Sequence, residues 1–131
     1  MILIFTMIFC HIVDDYYLQG WLASAKQKSW WETNAPDRLY KNDYKMALIE
    51  HAFSWSFMIH IPIIISSFLI KMPYLSNVYS ITLMINMCIH AFVDNLKANK
   101  KKINLVTDQI IHLFQVVITG TIYLLLIQDR K

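Results

Sequence analysis

Glycine and proline are scarce in this sequence, with two glycines and three prolines among 131 residues. So few turn-forming residues disfavour a barrel of many short strands and favour helices. Charged residues are also few, at 16% against roughly 25% in soluble domains. Hydrophobic residues reach 56% of the chain. We therefore predict one all-α domain over residues 1–131, built as a polytopic integral membrane protein.

Cysteine is limited to Cys10 and Cys88, each inside an apolar segment. On a helix, the offsets from the nearest histidines correspond to about 100° and 200°, so neither cysteine shares a face with its histidine. We interpret both cysteines as small packing residues and leave them out of any site.

Four apolar segments are close to the ~20 residues that cross a bilayer as a helix. Nine of the twelve lysines and arginines lie in the two connections 26–45 and 97–102, against three in Lys71, Arg130 and Lys131. The positive-inside rule places both basic connections in the cytoplasm and both termini outside, with a bacterial inner membrane as the expected location. The basic residues thus indicate orientation and not a nucleic-acid surface. The predicted four-transmembrane-helix bundle has helices at 2–22, 46–70, 75–98 and 103–127.

Histidine and aspartate recur four residues apart, which places them on one helical face. The pairs are His11/Asp15, His90/Asp94 and Asp108/His112. Their order reverses on the fourth helix, where the direction of the chain also reverses. All three pairs therefore place the aspartate nearer the cytoplasm, with a histidine layer about 6 Å deeper. His51 on the second helix falls at a similar depth, so we predict a polar His/Asp core.

Three interpretations compete for this core. Imidazole and carboxylate without sulfur are typical ligands of Zn, Mn or Fe, so the core is predicted to hold one or two divalent metal ions. The same groups could relay ions or protons, or could serve only to hold the bundle together. We favour metal ligands, and the predicted set is His11, Asp15, His51, His90, Asp94, Asp108 and His112.

Several neighbouring polar residues receive weaker assignments. Asp14 and Glu50 lie one position from the shared faces and are candidate catalytic acids or bases. Two glutamines next to the motifs and two lysines near the predicted cytoplasmic ends of the helices could bind a substrate or form hydrogen bonds to the metal ligands. These residues are Gln19, Lys26, Lys97 and Gln109.

The motifs in order read His11-x3-Asp15-Tyr-x2-Gln19, Lys26, His51, His90-x3-Asp94-x2-Lys97 and Asp108-Gln109-x2-His112. This order resembles a family of small bacterial and phage membrane proteins, domain-of-unknown-function family 3307, over nearly the whole chain. A looser likeness is to membrane-bound metal-dependent hydrolases. The first resemblance supports the residue set, and the second is an analogy at the level of the fold.

The favoured function is a metal-dependent membrane hydrolase that acts on an anionic amphiphile from the cytoplasmic leaflet. A bound ion would activate water for attack. The lipid bilayer and this substrate are the expected partners, homo-oligomers are compatible with the sequence, and no nucleic acid is expected. The first alternative is an ion or proton transporter that uses the His/Asp cluster. The second is a structural or interaction protein with a polar bundle core.

Overall fold

The computed structural model describes residues 1–71 and 75–128, and the prediction of an all-α fold is confirmed. Among the described residues there is no β-strand. These residues form six α-helices, in addition to a π-helical turn at Asp14–Leu18 and a 3-10 turn at Arg38–Tyr40. They are α1 (Ile2–Val13), α2 (Leu22–Ala25), α3 (Lys28–Asn34), α4 (Asp43–Leu69), α5 (Leu75–Ala98) and α6 (Leu105–Gln128).

The four longer helices form a ring in which α1 and α5 each pack against both α4 and α6. Helix α1 approaches α6 closely at Gly120, where an added Cβ atom would lie 2.9 Å from Ile4 Cγ1. It would also lie 3.2 Å from the Met7 sulfur. A glycine at this position therefore allows the two helices to pack closely.

The first helix differs from the prediction, because regular α-helical geometry ends at Val13. The Gln19 N–H donates to the Asp14 carbonyl oxygen at 3.1 Å, which closes a π-helical turn with one extra residue. The chain then turns at Gly20, whose φ is +46°. His11, Asp14 and Asp15 keep the i, i+3, i+4 spacing of one helical face and are all buried, whereas Leu18, which the extra residue displaces, is exposed.

The bundle has a polar interior and an apolar exterior at the level of the histidines. Four histidines, four aspartates and a lysine in this region are buried, whereas phenylalanines on the outer faces of the helices are exposed. Exposed examples are Phe53 on α4, Phe92 on α5 and Phe114 on α6. In soluble domains, by contrast, charged residues are usually at the surface. An apolar cluster of Met7, Trp55, Ile59, Ile63, Val116 and Tyr123 fills the other half of the bundle.

Two helical segments among the described residues are long and apolar enough to cross a membrane. They are Arg38–Leu69 and Leu105–Gln128. Helix α1 has only 12 residues in regular geometry. Arg130 and Lys131, which contribute to the predicted orientation, lie outside the described residues.

Candidate metal centre

The four long helices each contribute one histidine to the centre of the bundle: His11, His51, His90 and His112. Each has at most 1% of its surface exposed. The ring centroids of His90 and His112 are 4.0 Å apart, and those of His51 and His90 are 5.0 Å apart. His11 is more distant, with its centroid 6.2 Å from that of His112. The predicted histidine layer is therefore present.

Asp94 lies between three of these rings. Its Oδ2 atom is 3.3 Å from His51 Nε2 and 3.7 Å from His90 Nε2. Its Oδ1 atom is 3.7 Å from His112 Nε2. The two oxygens of one carboxylate thus approach different histidines, an arrangement that suits a bridging ligand.

Two groups of side chains have ligand atoms close enough to hold a metal ion, with all atoms in each group within 4.8 Å of one another. One consists of Asp15, His51 and His90, and the other of His90, Asp94 and His112. All five residues are buried. Because His90 belongs to both groups, the groups are parts of one cluster.

The hydrogen bonds of His112 determine which of its nitrogens carries a lone pair. The Gln115 amide nitrogen donates to both the backbone oxygen and Oδ1 of Asn86, at 3.1 Å each. Gln115 Oε1 is consequently the atom that faces His112 Nδ1, at 3.1 Å, and it must accept a hydrogen bond. In the neutral ring, Nε2 therefore has the lone pair.

That His112 Nε2 atom faces two carboxylate oxygens. Asp108 Oδ1 lies 3.4 Å away and Asp94 Oδ1 lies 3.7 Å away. All three atoms are buried without a hydrogen-bond partner among the described residues. Facing acceptors in a buried position are costly unless a cation lies between them, either a proton on the ring or a metal ion. Nitrogen and oxygen donors of this kind fit a divalent ion.

On the other side of the cluster, two histidine nitrogens and a carboxylate oxygen approach one another. His51 Nε2 and His90 Nε2 face each other at 3.2 Å, and Asp15 Oδ1 is 3.4 Å from His51 Nε2. A proton can lie between two nitrogens only if one of them donates, whereas a metal ion accepts electron pairs from both. This group also fits a divalent ion.

Two lysines reach the carboxylates from the basic connections. Lys26 is 5% exposed, and its Nζ donates to Asp94 Oδ2 at 2.6 Å. Lys97 Nζ donates to Asp108 Oδ2 at 2.5 Å. Asn99 holds the backbone around Lys26, because its Nδ2 donates to the Lys26 oxygen at 3.1 Å and its Oδ1 accepts from Lys28 N at 2.7 Å. The α2–α3 segment therefore covers the carboxylate end of the cluster.

His11 is the member of the predicted ligand set whose ring has two protein partners. Its Nδ1 accepts a hydrogen bond from Trp55 Nε1 at 2.7 Å. Its Nε2 lies 3.2 Å from Gln109 Oε1. His11 lies beside the two ligand groups and not within them.

The remaining predicted residues occupy different places. Asp14 is buried and accepts a hydrogen bond from Ser54 Oγ at 2.7 Å, apart from the two ligand groups. Gln19 Nε2 donates to the backbone oxygen of Asp15. Glu50 is exposed, and the structure does not bring it to the cluster. The reason is its position one residue before His51, about 100° from the buried face of α4.

Trp55 and Gln115 are site residues that the sequence interpretation missed. The Trp55 ring stacks on His90, with centroids 4.2 Å apart and planes 21° apart. Trp55 follows His51 by four residues, and Gln115 follows His112 by three, so both lie on the faces of their histidines. A tryptophan far from the ends of an apolar segment is itself a signal, because tryptophan in membrane proteins is enriched at the interfaces.

Comparison of the chain with protein-family models, curated proteins and solved structures gives no match. Function is therefore argued from the geometry of the cluster.

Proposed function

We propose that this chain is a metal-dependent integral membrane enzyme, a hydrolase that acts on an anionic amphiphile from the cytoplasmic leaflet. One observation carries the proposal: a buried histidine nitrogen faces two carboxylate oxygens, and none of the three has a hydrogen-bond partner among the described residues. Structural networks in bundle cores normally satisfy such atoms, because each unpaired group costs about 1–3 kcal/mol.

The proposed membrane topology extends the two apolar spans to a four-helix bundle. Aromatic and aliphatic side chains on the outer faces of α1 and α5 support this extension; Phe5, Phe9, Ile85 and Phe92 are all exposed. Charged residues inside and apolar residues outside are the arrangement that a bilayer favours. In this topology the connections 26–45 and 97–102 are cytoplasmic and both termini are outside. Membership in domain-of-unknown-function family 3307 is part of the same proposal and rests on the order of the motifs.

The proposed ligands are the two groups that the geometry defines. Asp15, His51 and His90 would hold one ion, and Asp94 with His112 would hold a second, with Asp108 as a further oxygen ligand. Two ions are favoured because the Asp94 oxygens face different histidines. Zn, Mn or Fe suits these nitrogen and oxygen donors. Ions in such a site would polarise a water molecule and make it nucleophilic at neutral pH.

The substrate class follows from the two lysines and the surrounding membrane. The Lys97 side chain is 25% exposed, so its ammonium group is within reach of an anionic head group. Lys97 would bind that group electrostatically while the apolar tail stays in the bilayer, and Lys26 would add its positive charge from its buried pair with Asp94. Asp14, a buried carboxyl group whose Oδ2 lacks a hydrogen-bond partner among the described residues, is the proposed proton-transfer group.

Metal analysis of the purified protein tests the proposal. After metal-replete purification in detergent, the wild type should contain one or two equivalents of metal. His90→Ala should lower metal affinity by more than the roughly 10–100-fold that loss of an outer hydrogen bond to a ligand costs. His60→Ala is a matched control, because His60 is equally buried but bonds to Ser56 and Thr82 outside the cluster. A wild type without metal would contradict the proposal.

A second candidate, an ion or proton transporter, is favoured by one observation. Polar contacts continue from His112 through Gln115 and Asn86 to Thr119, where Asn86 Nδ2 donates to Thr119 Oγ1 at 2.8 Å. This line extends into the apolar half of the bundle. Flux across liposomes that is independent of substrate and abolished by Asp15→Asn would support transport. Hydrolysis of an amphiphile without flux would support the enzyme.

A further inference from the structure

The hydrogen bonds that surround Gln109 have directions fixed by the chemistry of their donors. The Trp55 indole nitrogen can only donate, so His11 Nδ1 must accept from it. The neutral His11 ring then carries its proton on Nε2. That proton points to Gln109 Oε1, 3.2 Å away, which can only accept. The tautomer of His11 and the orientation of the Gln109 amide are therefore both determined.

The Gln109 amide nitrogen has two protons and contacts two carboxylates. It donates to Asp15 Oδ2 at 2.7 Å and to Asp108 Oδ2 at 3.1 Å. Asp15 lies in the π-helical turn that follows α1, and Asp108 lies on α6. One amide therefore connects carboxylates from two separate helical segments. A glutamine fits this position because it combines one acceptor, used by His11, with two donors.

The consequence of these contacts lies at the other oxygen of each carboxylate. Asp15 Oδ1 lies 3.4 Å from His51 Nε2. Asp108 Oδ1 lies 3.4 Å from His112 Nε2. Each Oδ2 atom is occupied by hydrogen bonds, and each Oδ1 atom is directed to a histidine of a ligand group.

We infer that Gln109 is a positioning residue that presents one oxygen of Asp15 and one oxygen of Asp108 to the metal ions. Trp55 and His11 hold its amide in the required orientation. His11 thus acts through hydrogen bonds instead of through a bond to metal. This inference rests on the proposed function, because the oriented oxygens matter only if a cation binds between them and the histidines.

Binding of Co²⁺ tests the inference, since its visible absorption spectrum reports the geometry of the ligands. The full chain in detergent is titrated with Co²⁺ for the wild type, Trp55→Phe, Gln109→Leu and Trp31→Phe. Trp55→Phe retains an aromatic ring against His90 but removes the N–H group. Trp31→Phe is the matched control, because its indole donates to the Ala25 oxygen at 2.6 Å, outside the cluster.

Trp55→Phe and Gln109→Leu should each weaken Co²⁺ binding by about 10–100-fold and change the spectrum, as expected for loss of a hydrogen bond that orients a ligand. Trp31→Phe should leave both unchanged. Either cluster variant suffices for the test if the other does not fold. Folded variants with wild-type affinity and spectrum would overturn the inference while leaving the proposed function intact, as would an equal loss in Trp31→Phe. A wild type that binds no Co²⁺ would overturn both.

Discussion

The same four helices build two unlike halves of the bundle. In one half, carboxylates, histidines and lysines contact one another through hydrogen bonds and ion pairs at 2.5–3.8 Å. In the other half, Met7, Ile59, Ile63, Val116 and Tyr123 pack as an ordinary apolar cluster. The apolar half requires complementary shape, whereas the polar half requires each donor to meet a particular acceptor. The polar half is therefore more sensitive to changes that preserve volume.

A buried ionic network is also a poor source of stability. Replacing such a network by apolar residues of similar volume often leaves the stability of a protein unchanged or increases it. The concentration of charge in one half of this small bundle is thus better explained by a site than by folding. Substitutions confined to one half or the other can test this explanation.

Asp94→Asn should have the largest effect on stability. The substitution preserves shape but leaves Lys26, which is 5% exposed, without its carboxylate partner at 2.6 Å. Loss of one member of a buried ion pair costs about 3–5 kcal/mol. The free energy of unfolding in detergent, measured by denaturant titration, should fall by about this amount.

The control for Asp94→Asn is the double variant Asp94→Asn/Lys26→Met. It removes the unpaired ammonium group and should recover a substantial part of the lost stability. Unchanged stability in the single variant would show that the Lys26–Asp94 pair is not buried as described.

Gly120→Leu should have an intermediate effect, confined to the apolar half. Because a Cβ at this position already lies 2.9 Å from Ile4 Cγ1, a leucine must push α1 from α6. Overpacking of this kind costs about 1–3 kcal/mol. Thermal denaturation should show the loss, and metal affinity should remain within a few-fold of the wild type.

Gly120→Ala serves as the matched variant at this position. Its single methyl group would lie 2.9 Å from Cγ1 of the β-branched Ile4, so the variant should lose stability, but less than Gly120→Leu because it adds less volume. A loss of metal binding in either variant would indicate that the two halves are not independent.

Asn99→Ala should have the smallest effect. It removes the hydrogen bonds to the Lys26 oxygen and the Lys28 nitrogen, and because water can replace partners at this exposed position, the loss should be about 0.5–1.5 kcal/mol in total. Trypsin should then cleave the α2–α3 segment faster, because this segment is less firmly attached to the end of α5.

Asn104→Ala is the control for Asn99→Ala. It removes a single hydrogen bond of similar strength, from Thr107 N at the start of α6, where Asn104 Oδ1 accepts at 2.9 Å. It should lower stability without exposing the α2–α3 segment. Equal cleavage rates in the two variants would contradict the role assigned to Asn99.

Much of this arrangement could be predicted from sequence because helical spacing is regular. The four-residue separation of His90 and Asp94 defines a face, and the reversed order in Asp108 and His112 defines a common depth. The structure brings His90, Asp94 and His112 into one group, and Asp108 Oδ1 lies 3.4 Å from His112 Nε2. Their role as ligands stays a prediction.

Other features depend on contacts that spacing does not determine. Lys26 is buried because Asn99, 73 residues later, holds the backbone around it. The partners of His11 on two other helices set its tautomer, so a ring that looks like a ligand in the sequence is occupied by Trp55 and Gln109.

The π-helical turn gives the first helix a pattern that an α-helix cannot produce. Asp14 and Asp15 both face inward, and the next three residues, Tyr16, Tyr17 and Leu18, are all more than half exposed. On an α-helix, Leu18 would follow His11 by seven residues and return to the buried face, whereas after the extra residue it is exposed. One additional residue thus keeps Leu18 on the outer side with Tyr16 and Tyr17, and the two neighbouring aspartates have separate partners on the inner side.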